Sequence, residues 1–350
     1  MYVADPALAF SIRGWQALSV YGDKRGLASA WAAADNANAH LPLGNRPLVV
    51  PDFDVREALG KKGTRSFDRH TGLFVASVGD ALAEAALQPD DRMTAGIING
   101  TATGSLSSIQ DFLLDTWRLE KPYFVNPAHM PNTVINCAAG QCAIWHGIKG
   151  PNATVSAGAQ SFAASVRLAR RWATLGYASR FVVGAVEEVA PAVQALREVY
   201  ARRYPQAEPL AEAAAAFVLE AVDPASASPD EDLVLAAEAG TAPDLSGRSV
   251  LDSARQLLMK CGVKESEVAR VSAKSRRGAA GHAAELAVSE AFGRSMASAG
   301  EVFGNTYSAS GAMQLVLLLG LLRPGEHGLA VSASGNRSYS VLLLRKGGRT

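Results

Sequence analysis

The strongest constraint on the fold comes from residues 150–189, which read as a strand, a sharp turn, a long helix and a second strand. Residues 152–156 are short and β-prone, and three small residues that permit a tight turn follow them. Apolar side chains then recur at helical spacing over residues 160–175, and Gly176 stands where a helix-ending glycine would. Residues 180–183 supply the second, apolar strand. This order predicts an α/β fold in which a strand feeds directly into a long helix.

The turn inside this stretch has a chemical meaning. A strand that turns sharply into a helix points one side chain at the helix N-terminus, where unpaired N–H groups and the helix dipole favour negative charge. Enzymes place nucleophiles at such turns. Here that side chain belongs to Ala159, which has no reactive group. The stretch therefore predicts the geometry of a nucleophile site without its chemistry.

Residues 150–189 resemble the nucleophile region of the β-ketoacyl synthases, the condensing enzymes of the thiolase fold. In that family a strand after a Gly-Pro pair leads to a cysteine that opens a long helix, and the cysteine falls on Ala159. Residues 100–104, Gly-Thr-Ala-Thr-Gly, resemble the family's Gly-Thr-Gly loop, and residues 122–151 resemble the segment before the cysteine. The resemblance implies an α/β, thiolase-like layered fold (α-β-α-β-α) with two similar halves.

The division of the chain follows from the order of its elements. Strands alternate with helices in two successive blocks, a pattern typical of α/β layered folds. Residues 223–232 between them are acidic and rich in turn-forming residues. We therefore expect an N-terminal thiolase-like half with a dimer-interface segment, residues 1–222, and a shortened C-terminal half, residues 233–350. The first 50 residues are predicted to be irregular, apart from a short helix over residues 27–36.

The catalytic residues of the family are not kept. A condensing enzyme needs a thiolate that carries the acyl chain and two histidines that polarise the malonyl thioester and stabilise its enolate. The resemblance puts the first histidine on Lys274, in Val-Ser-Ala-Lys-Ser, and the second on Asn305, in Gly-Asn-Thr-Tyr-Ser-Ala-Ser-Gly-Ala. The glycine-rich loop at residues 333–336 also lacks the family's phenylalanine. Together with Ala159, four catalytic features are degenerate on a scaffold that is kept.

This pattern resembles the chain-length factors, or KSβ subunits, of type II polyketide synthases. The resemblance implies a catalytically inactive subunit that forms a heterodimer with an active ketosynthase (KSα). It would shape the tunnel for an acyl chain that an acyl carrier protein delivers. Many chain-length factors carry glutamine at the cysteine position, whereas here the glutamine is Gln160, one place later, so no role is transferred to it.

Four residues are candidates for the tunnel wall. The family's gating side chains lie on the helix after the Gly-Thr-type loop, and the resemblance puts them on Leu106, Ile109 and Leu113, with Trp117 at a matching aromatic site. Their spacing places all four on one face of a helix. The same spacing is typical of ordinary core residues, and the sequence leaves both interpretations open.

Two other functions also stay open. One is a diverged condensing or acyl-transfer enzyme that uses Cys137, Cys142 or His282, although mid-helix cysteines are usually small buried hydrophobic residues. The other is a homodimeric acyl-binding protein without a ketosynthase partner. Three further histidines stand in polar contexts and are predicted to lie at the surface: His40, His70 and His327.

The bulk properties exclude several classes of function. A chain of 350 residues with 48% hydrophobic content can bury a large core, and its net charge of +1 creates no field for nucleic acid or a membrane surface. No apolar run reaches the roughly 18 residues of a membrane helix, and the first residues show no signal-peptide pattern. Three cysteines without a Cys-x-x-Cys pair favour a reducing compartment and argue against a zinc site. We expect a cytoplasmic protein with no metal and no cofactor.

Overall fold

The computed structural model describes residues 8–35, 46–203, 208–242 and 247–348. Within them, ten strands form a single sheet in the order β3-β2-β4-β5-β1-β6-β10-β9-β7-β8. The strands are β1 (Ala9–Leu18), β2 (Gly96–Gly100), β3 (Asn152–Val155), β4 (Arg180–Glu187), β5 (Ala213–Val222), β6 (Leu233–Thr241), β7 (Val268–Ala273), β8 (Met296–Ser298), β9 (His327–Ala333) and β10 (Ser338–Arg345).

The described residues also form twelve α-helices. They are α1 (Leu27–Asp35), α2 (Val55–Leu59), α3 (Arg69–Glu84), α4 (Pro89–Thr94), α5 (Leu106–Arg118), α6 (Cys137–His146), α7 (Ser161–Thr174), α8 (Pro191–Arg203), α9 (Arg248–Lys260), α10 (His282–Ala291), α11 (Ala299–Phe303) and α12 (Ser310–Leu321). Short 3-10 turns lead directly into three of them: Lys24–Gly26 before α1, Gly158–Gln160 before α7 and Tyr307–Ala309 before α12. None of these helices combines the length and hydrophobicity that a membrane crossing requires.

The strand order repeats between the two parts of the chain. Read from each outer edge inward, the strands run β3-β2-β4-β5-β1 on one side and β8-β7-β9-β10-β6 on the other. The blocks meet where β1 pairs with β6 over only two residue pairs, Phe10 with Val234 and Ser11 with Leu233. The topology therefore has two similar halves. Residues 223–232 join β5 to β6 within one continuous sheet. The division of the chain into two domains at these residues stays a proposal.

Helices and sheet alternate in layers because neighbouring strand residues face opposite sides. In β4, Phe181 and Val183 face a central apolar layer that contains Phe162 of α7 and Met313 of α12. The neighbouring Val182 faces an outer layer under α3. A second outer layer lies between α9, α10 and the C-terminal strands. The predicted α-β-α-β-α fold class is confirmed.

The prediction of an irregular N-terminal region is wrong for β1. This strand lies in the middle of the sheet, between β5 and β6. Nine of its ten residues are buried, because helices cover both faces at this point. A strand buried on both faces loses the apolar–polar alternation by which strands are recognised.

Candidate functional site

The turn before α7 has the conformation that the sequence predicts. The strand β3 ends at Val155, and the 3-10 turn Gly158–Gln160 leads into the helix. Gly158 has φ +58°, a value that L side chains rarely adopt. The next residue, Ala159, is only 5% exposed. A methyl group therefore stands at the helix N-terminus, where a nucleophile would stand.

Gln160 is directed away from that position. Its Nε2 donates hydrogen bonds to the Ser334 hydroxyl at 3.3 Å and to the Ser338 carbonyl oxygen at 3.1 Å. Ser334 lies in the turn between β9 and β10, and Ser338 is the first residue of β10. The glutamine thus ties the turn before α7 to the hairpin of the C-terminal half.

Lys274 follows the last residue of β7, beside a buried carboxylate. The adjacent Ser275 donates to Glu285 from its backbone nitrogen at 2.8 Å and from its hydroxyl at 3.1 Å, and the Ala333 nitrogen donates to Glu285 at 2.8 Å. Burial raises the pKa of Glu285 to about 7, against the opposing effects of the Lys274 charge and of these hydrogen bonds. Lys274 therefore supplies positive charge to a fully buried acid.

Asn305 lies in the loop between α11 and the turn before α12. Its side-chain oxygen accepts a hydrogen bond from the Tyr307 nitrogen at 3.1 Å, and its backbone nitrogen donates to the Pro209 carbonyl oxygen at 2.8 Å. Tyr307 has φ +45°, and its hydroxyl lies 3.9 Å from the position of a Cβ on Gly158. The structure thus brings the turns of Ala159 and Asn305 together.

A cavity of about 170 Å³ opens beside Asn305. Its polar groups are those of Thr103, Glu187, Glu188, Asn305 and Tyr307, and the rest of its wall is apolar: Val189, Val193, Leu210 and Ala211. Neither Ala159 nor Lys274 lines it. The cavity therefore adjoins the degenerate site without including two of its three positions.

Sequence reasoning missed Glu187, which joins the two halves at this site. This residue ends β4 and is 3% exposed. Its carboxylate accepts hydrogen bonds from the hydroxyls of Ser308 at 2.6 Å and Thr101 at 3.1 Å, and also from the hydroxyl of Thr103. The sequence offered one signal for this role, a carboxylate at the end of a buried strand. Its hydrogen-bond partners could not be identified from the sequence, because they are 84 to 121 residues away.

The family follows from comparison with known proteins. A model of the β-ketoacyl synthase N-terminal domain matches residues 30–221, which is more than half of the chain. The chain belongs to the β-ketoacyl synthase family. The 3-oxoacyl-[acyl-carrier-protein] synthase 2 of Rhizobium meliloti is 31% identical over 138 residues, and that of Vibrio harveyi is 29% identical over 143 residues. These alignments cover 39 to 40% of this chain and 32 to 34% of the relatives.

Solved ketosynthase structures match nearly the whole chain. The ishigamide ketosynthase/chain length factor is 28% identical with a TM-score of 0.81, covering 97% of this chain and 100% of that one. The AntDE:AntF complex, a type II polyketide synthase acyl-carrier protein with its ketosynthase, is 18% identical with a TM-score of 0.80, covering 96% and 99%. At that identity the second likeness shows the fold alone.

In this β-ketoacyl synthase family member, the helix that carries the four tunnel candidates is not part of the core. No residue of α5 is buried. Leu106 and Ile109 are half-buried, whereas Leu113 is 53% and Trp117 is 83% exposed. The interpretation as ordinary core residues is therefore wrong for Leu113 and Trp117, and a role in the tunnel stays a prediction.

The exposed side of α5 continues into a larger apolar surface. We use the name apolar surface for the large hydrophobic side chains that are at least 39% exposed on residues 113–144: Leu113, Trp117, Leu119, Tyr123, Phe124, Met130, Val134, Ile135 and Ile144. The helix α8, which contacts α5, adds Leu196, Val199 and Tyr200. Patches of this kind mark interaction sites.

The two cysteine candidates lack the features of an activated thiol, whereas a role for His282 stays a prediction. Burial raises the pKa of the Cys142 thiol well above its usual value and that of Cys137 to about 11. The Cys137 thiol also donates to the Asn132 side-chain oxygen at 3.2 Å. Since the thiolate is the reactive form, neither cysteine is activated. His282 begins α10.

The surface prediction for the histidines is wrong for His70, which is fully buried in the first turn of α3. Neither ring nitrogen of His70 has a hydrogen-bond partner among the described residues. His327 is half-buried, and burial lowers its pKa. His40 lies outside the described residues. Within those residues no cluster of three or more His, Cys, Asp or Glu side chains forms a metal site.

Proposed function

We propose that this chain is the non-catalytic partner of an active ketosynthase in a type II polyketide or polyene pathway. In the proposed mechanism the partner's cysteine performs condensation on a substrate held by an acyl carrier protein. This chain closes the far end of a shared pocket and thereby limits the length of the product. The carrier protein and a cytoplasmic location belong to the proposal.

The observation that carries the proposal is Ala159. The strand, the left-handed Gly158 and the helix α7 form the setting of a nucleophile, and the side chain in that setting is a methyl group. The other two positions support the same conclusion. The amide of Asn305 cannot exchange a proton as an imidazole does, and its oxygen is already used by the Tyr307 nitrogen. Lys274 lies beside the buried Glu285.

Pairing with a second subunit is supported by two neighbouring features. The apolar surface exposes nine large hydrophobic side chains, and clusters of exposed apolar residues mark interaction sites. Obligate interfaces are typically core-like in composition and on the order of 2,000 Å² or more. The strand β3 is at the edge of the sheet and, among the described residues, pairs only with β2. Its free edge can extend the sheet of a partner.

A role in product length is supported by α5. Leu106, Ile109 and Leu113 belong to a helix that the described residues leave partly or largely exposed, which leaves room for a second subunit to pack against them. The likeness to the ishigamide ketosynthase/chain length factor over 97% of the chain agrees with this role.

The test is reconstitution with a candidate ketosynthase that has intact Cys-His-His residues. Co-expression should give a 1:1 complex by native mass spectrometry that makes products, and replacing the partner's cysteine by alanine should abolish them. The isolated chain should neither take up a radiolabelled acyl group nor decarboxylate malonyl carrier protein. Ala159→Cys should not restore condensation, because both histidines are also absent. Stoichiometric acylation of the isolated chain, or a catalytically active homodimer, would contradict the proposal.

A further inference from the structure

Three carboxylates surround the N-terminus of α5. They are Asp68, which precedes α3, and Glu187 and Glu188 at the end of β4. We call them the carboxylate clamp. Glu187 and Glu188 are 3% and 6% exposed, and they accept hydrogen bonds from backbone nitrogens of the loop before α5 and of its first turn.

Each acid holds a different part of the helix start. Glu188 accepts a hydrogen bond from the Ser107 backbone nitrogen at 3.0 Å, and Asp68 accepts one from the Ser108 hydroxyl at 2.7 Å. Glu187 holds the preceding loop through the backbone of Ala102 and the hydroxyls of Thr101 and Thr103.

The clamp takes the role of the missing helix cap. Ser105, at the N-cap position of α5, makes no side-chain hydrogen bond to the helix. Without a cap, the first N–H groups of a helix have no partner. The Glu188 carboxylate supplies one, and negative charge at this end is favourable to the helix dipole.

These hydrogen bonds contribute more to the position of α5 than similar bonds would contribute to the position of a helix in the core. A buried helix is positioned by the packing of its side chains, but α5 has no buried residue. Among the described elements, α5 packs mainly against the 3-10 turns Pro122–Phe124 and Pro127–Thr133 and the helix α8. Its position relative to the sheet therefore depends on the hydrogen bonds at its first turn.

The clamp also reaches the degenerate site. The same Glu187 carboxylate accepts a hydrogen bond from the hydroxyl of Ser308 at 2.6 Å, and Ser308 follows Asn305 by three residues. The cavity beside Asn305 is lined by Glu187 and Glu188 as well. The former catalytic loop of the C-terminal half and the start of α5 thus share one buried support.

We propose that the carboxylate clamp is the positioning element for product length, with Glu188 setting the location of the first turn of α5. This inference rests on the proposed function. Leu106 and Ile109 lie within one turn of the Ser107 nitrogen that Glu188 holds, so a shift of this turn moves the tunnel wall directly. Loss of the clamp should broaden the product distribution, whereas a smaller gate residue should shift it.

The experiment compares four variants, Glu188→Ala, Glu188→Gln, Leu257→Ala and Leu113→Ala, in the full chain and in its complex with the ketosynthase. Glu188→Ala removes the acceptor for Ser107, and Glu188→Gln keeps an acceptor oxygen at nearly the same volume. Leu257→Ala is the control: Leu257 is buried between α9 and the C-terminal strands, remote from α5, so it lowers stability without touching the clamp.

We expect faster amide hydrogen exchange over residues 106–118 in Glu188→Ala, near-native exchange in Glu188→Gln, and no change there in Leu257→Ala. The share of products of other lengths should rise about fivefold in Glu188→Ala, the factor that corresponds to loss of a typical cap. Glu188→Gln should restore the native distribution.

The outcomes separate the inference from the proposed function. If Leu113→Ala changes product length but Glu188→Ala does not, the inference is overturned and the proposed function stands. Equal broadening in Glu188→Ala and Leu257→Ala also overturns it, because the effect is then one of general stability. If neither Leu113→Ala nor Glu188→Ala changes product length, the proposed function is wrong and the inference falls with it.

Discussion

The Tyr307 hydroxyl lies 3.9 Å from the position that a Cβ atom would take on Gly158. The two residues hold equivalent places in the two halves, since each is the first residue of the 3-10 turn before a central helix, α7 or α12. Both have left-handed backbones, with φ +58° for Gly158 and +45° for Tyr307. The duplicated turns therefore meet at the degenerate site, with Ala159 and Ser308 as the residues that follow.

The left-handed backbone at Gly158 predicts that two glycine-to-alanine substitutions have opposite effects on the free energy of unfolding. Gly158→Ala should destabilise the free chain by about 1–2 kcal/mol, because its φ of +58° strains any L side chain although the space for a Cβ exists. Gly140→Ala should stabilise it by up to about 1 kcal/mol, since Gly140 is inside α6 and a Cβ there meets no atom within 4 Å. Urea unfolding of both variants measures the difference. Equal effects would contradict the assigned backbone conformation.

Product length should follow the volume of the α5 side chains. Leu106→Ala and Leu113→Ala should lengthen the products, and Ile109→Phe and Leu106→Trp should shorten them or stall elongation, because close-packed walls respond to single methylene groups. Since Leu113 is 53% exposed, Leu113→Ala should cost the free chain about 1 kcal/mol or less. Mass spectrometry of products and thermal unfolding test both statements. Unchanged lengths with a large loss of stability would return these residues to the core interpretation.

The apolar surface should contain the residues that dominate binding of the partner. Tyr123 is 71% exposed, and Tyr123→Ala should weaken the heterodimer by about 2 kcal/mol, near the threshold for a binding hot spot, without loss of free-chain stability. Met259→Ala is the matched control, since Met259 is 75% exposed on α9 in the other half. Analytical ultracentrifugation of the co-expressed pair measures the change. The isolated wild-type chain should be poorly soluble at micromolar concentration, and a well-behaved monomer at that concentration, indifferent to any ketosynthase, would argue against obligate pairing.

Burial of Glu285 makes stability depend on pH. Its pKa of about 7 in the folded protein is above the usual 4.5, so the folded state binds the proton more tightly than the unfolded state does. The resulting stabilisation is full below about pH 4.5 and is lost as the pH rises through 7, a change of about 3 kcal/mol. Glu285→Gln should flatten this dependence in urea unfolding at pH 5 and pH 8. Glu290→Gln, at an exposed position of α10, should leave it intact, and an unaltered slope in Glu285→Gln would disprove the assignment.

The residue pattern by itself predicted an α/β fold with a strand, a sharp turn and a helix around Ala159, whereas the thiolase-like class and the positions Lys274 and Asn305 came from the family resemblance. The strand, turn and helix around Ala159 are encoded locally by small residues, helical spacing and a terminating glycine, so the prediction needed no distant contact. For α5, the resemblance supplied the positions Leu106, Ile109 and Leu113, and the spacing of these residues indicated a helix with one apolar face. It did not indicate that the helix is exposed, because an apolar face requires a cover but does not specify which chain supplies it.

Only the tertiary structure decided how the buried polar groups are paired. Polar neighbours in the sequence suggested a surface position for His70, yet the packing of α3 buries it fully. Glu187 and Glu188 are adjacent in the sequence, but their partners Ser308 and Ser107 lie 121 and 81 residues away. A carboxylate looks the same in the sequence whether it is solvated or holds a helix start. The difference depends on which donors the folded chain brings within about 3 Å, and side-chain periodicity carries no information about that distance.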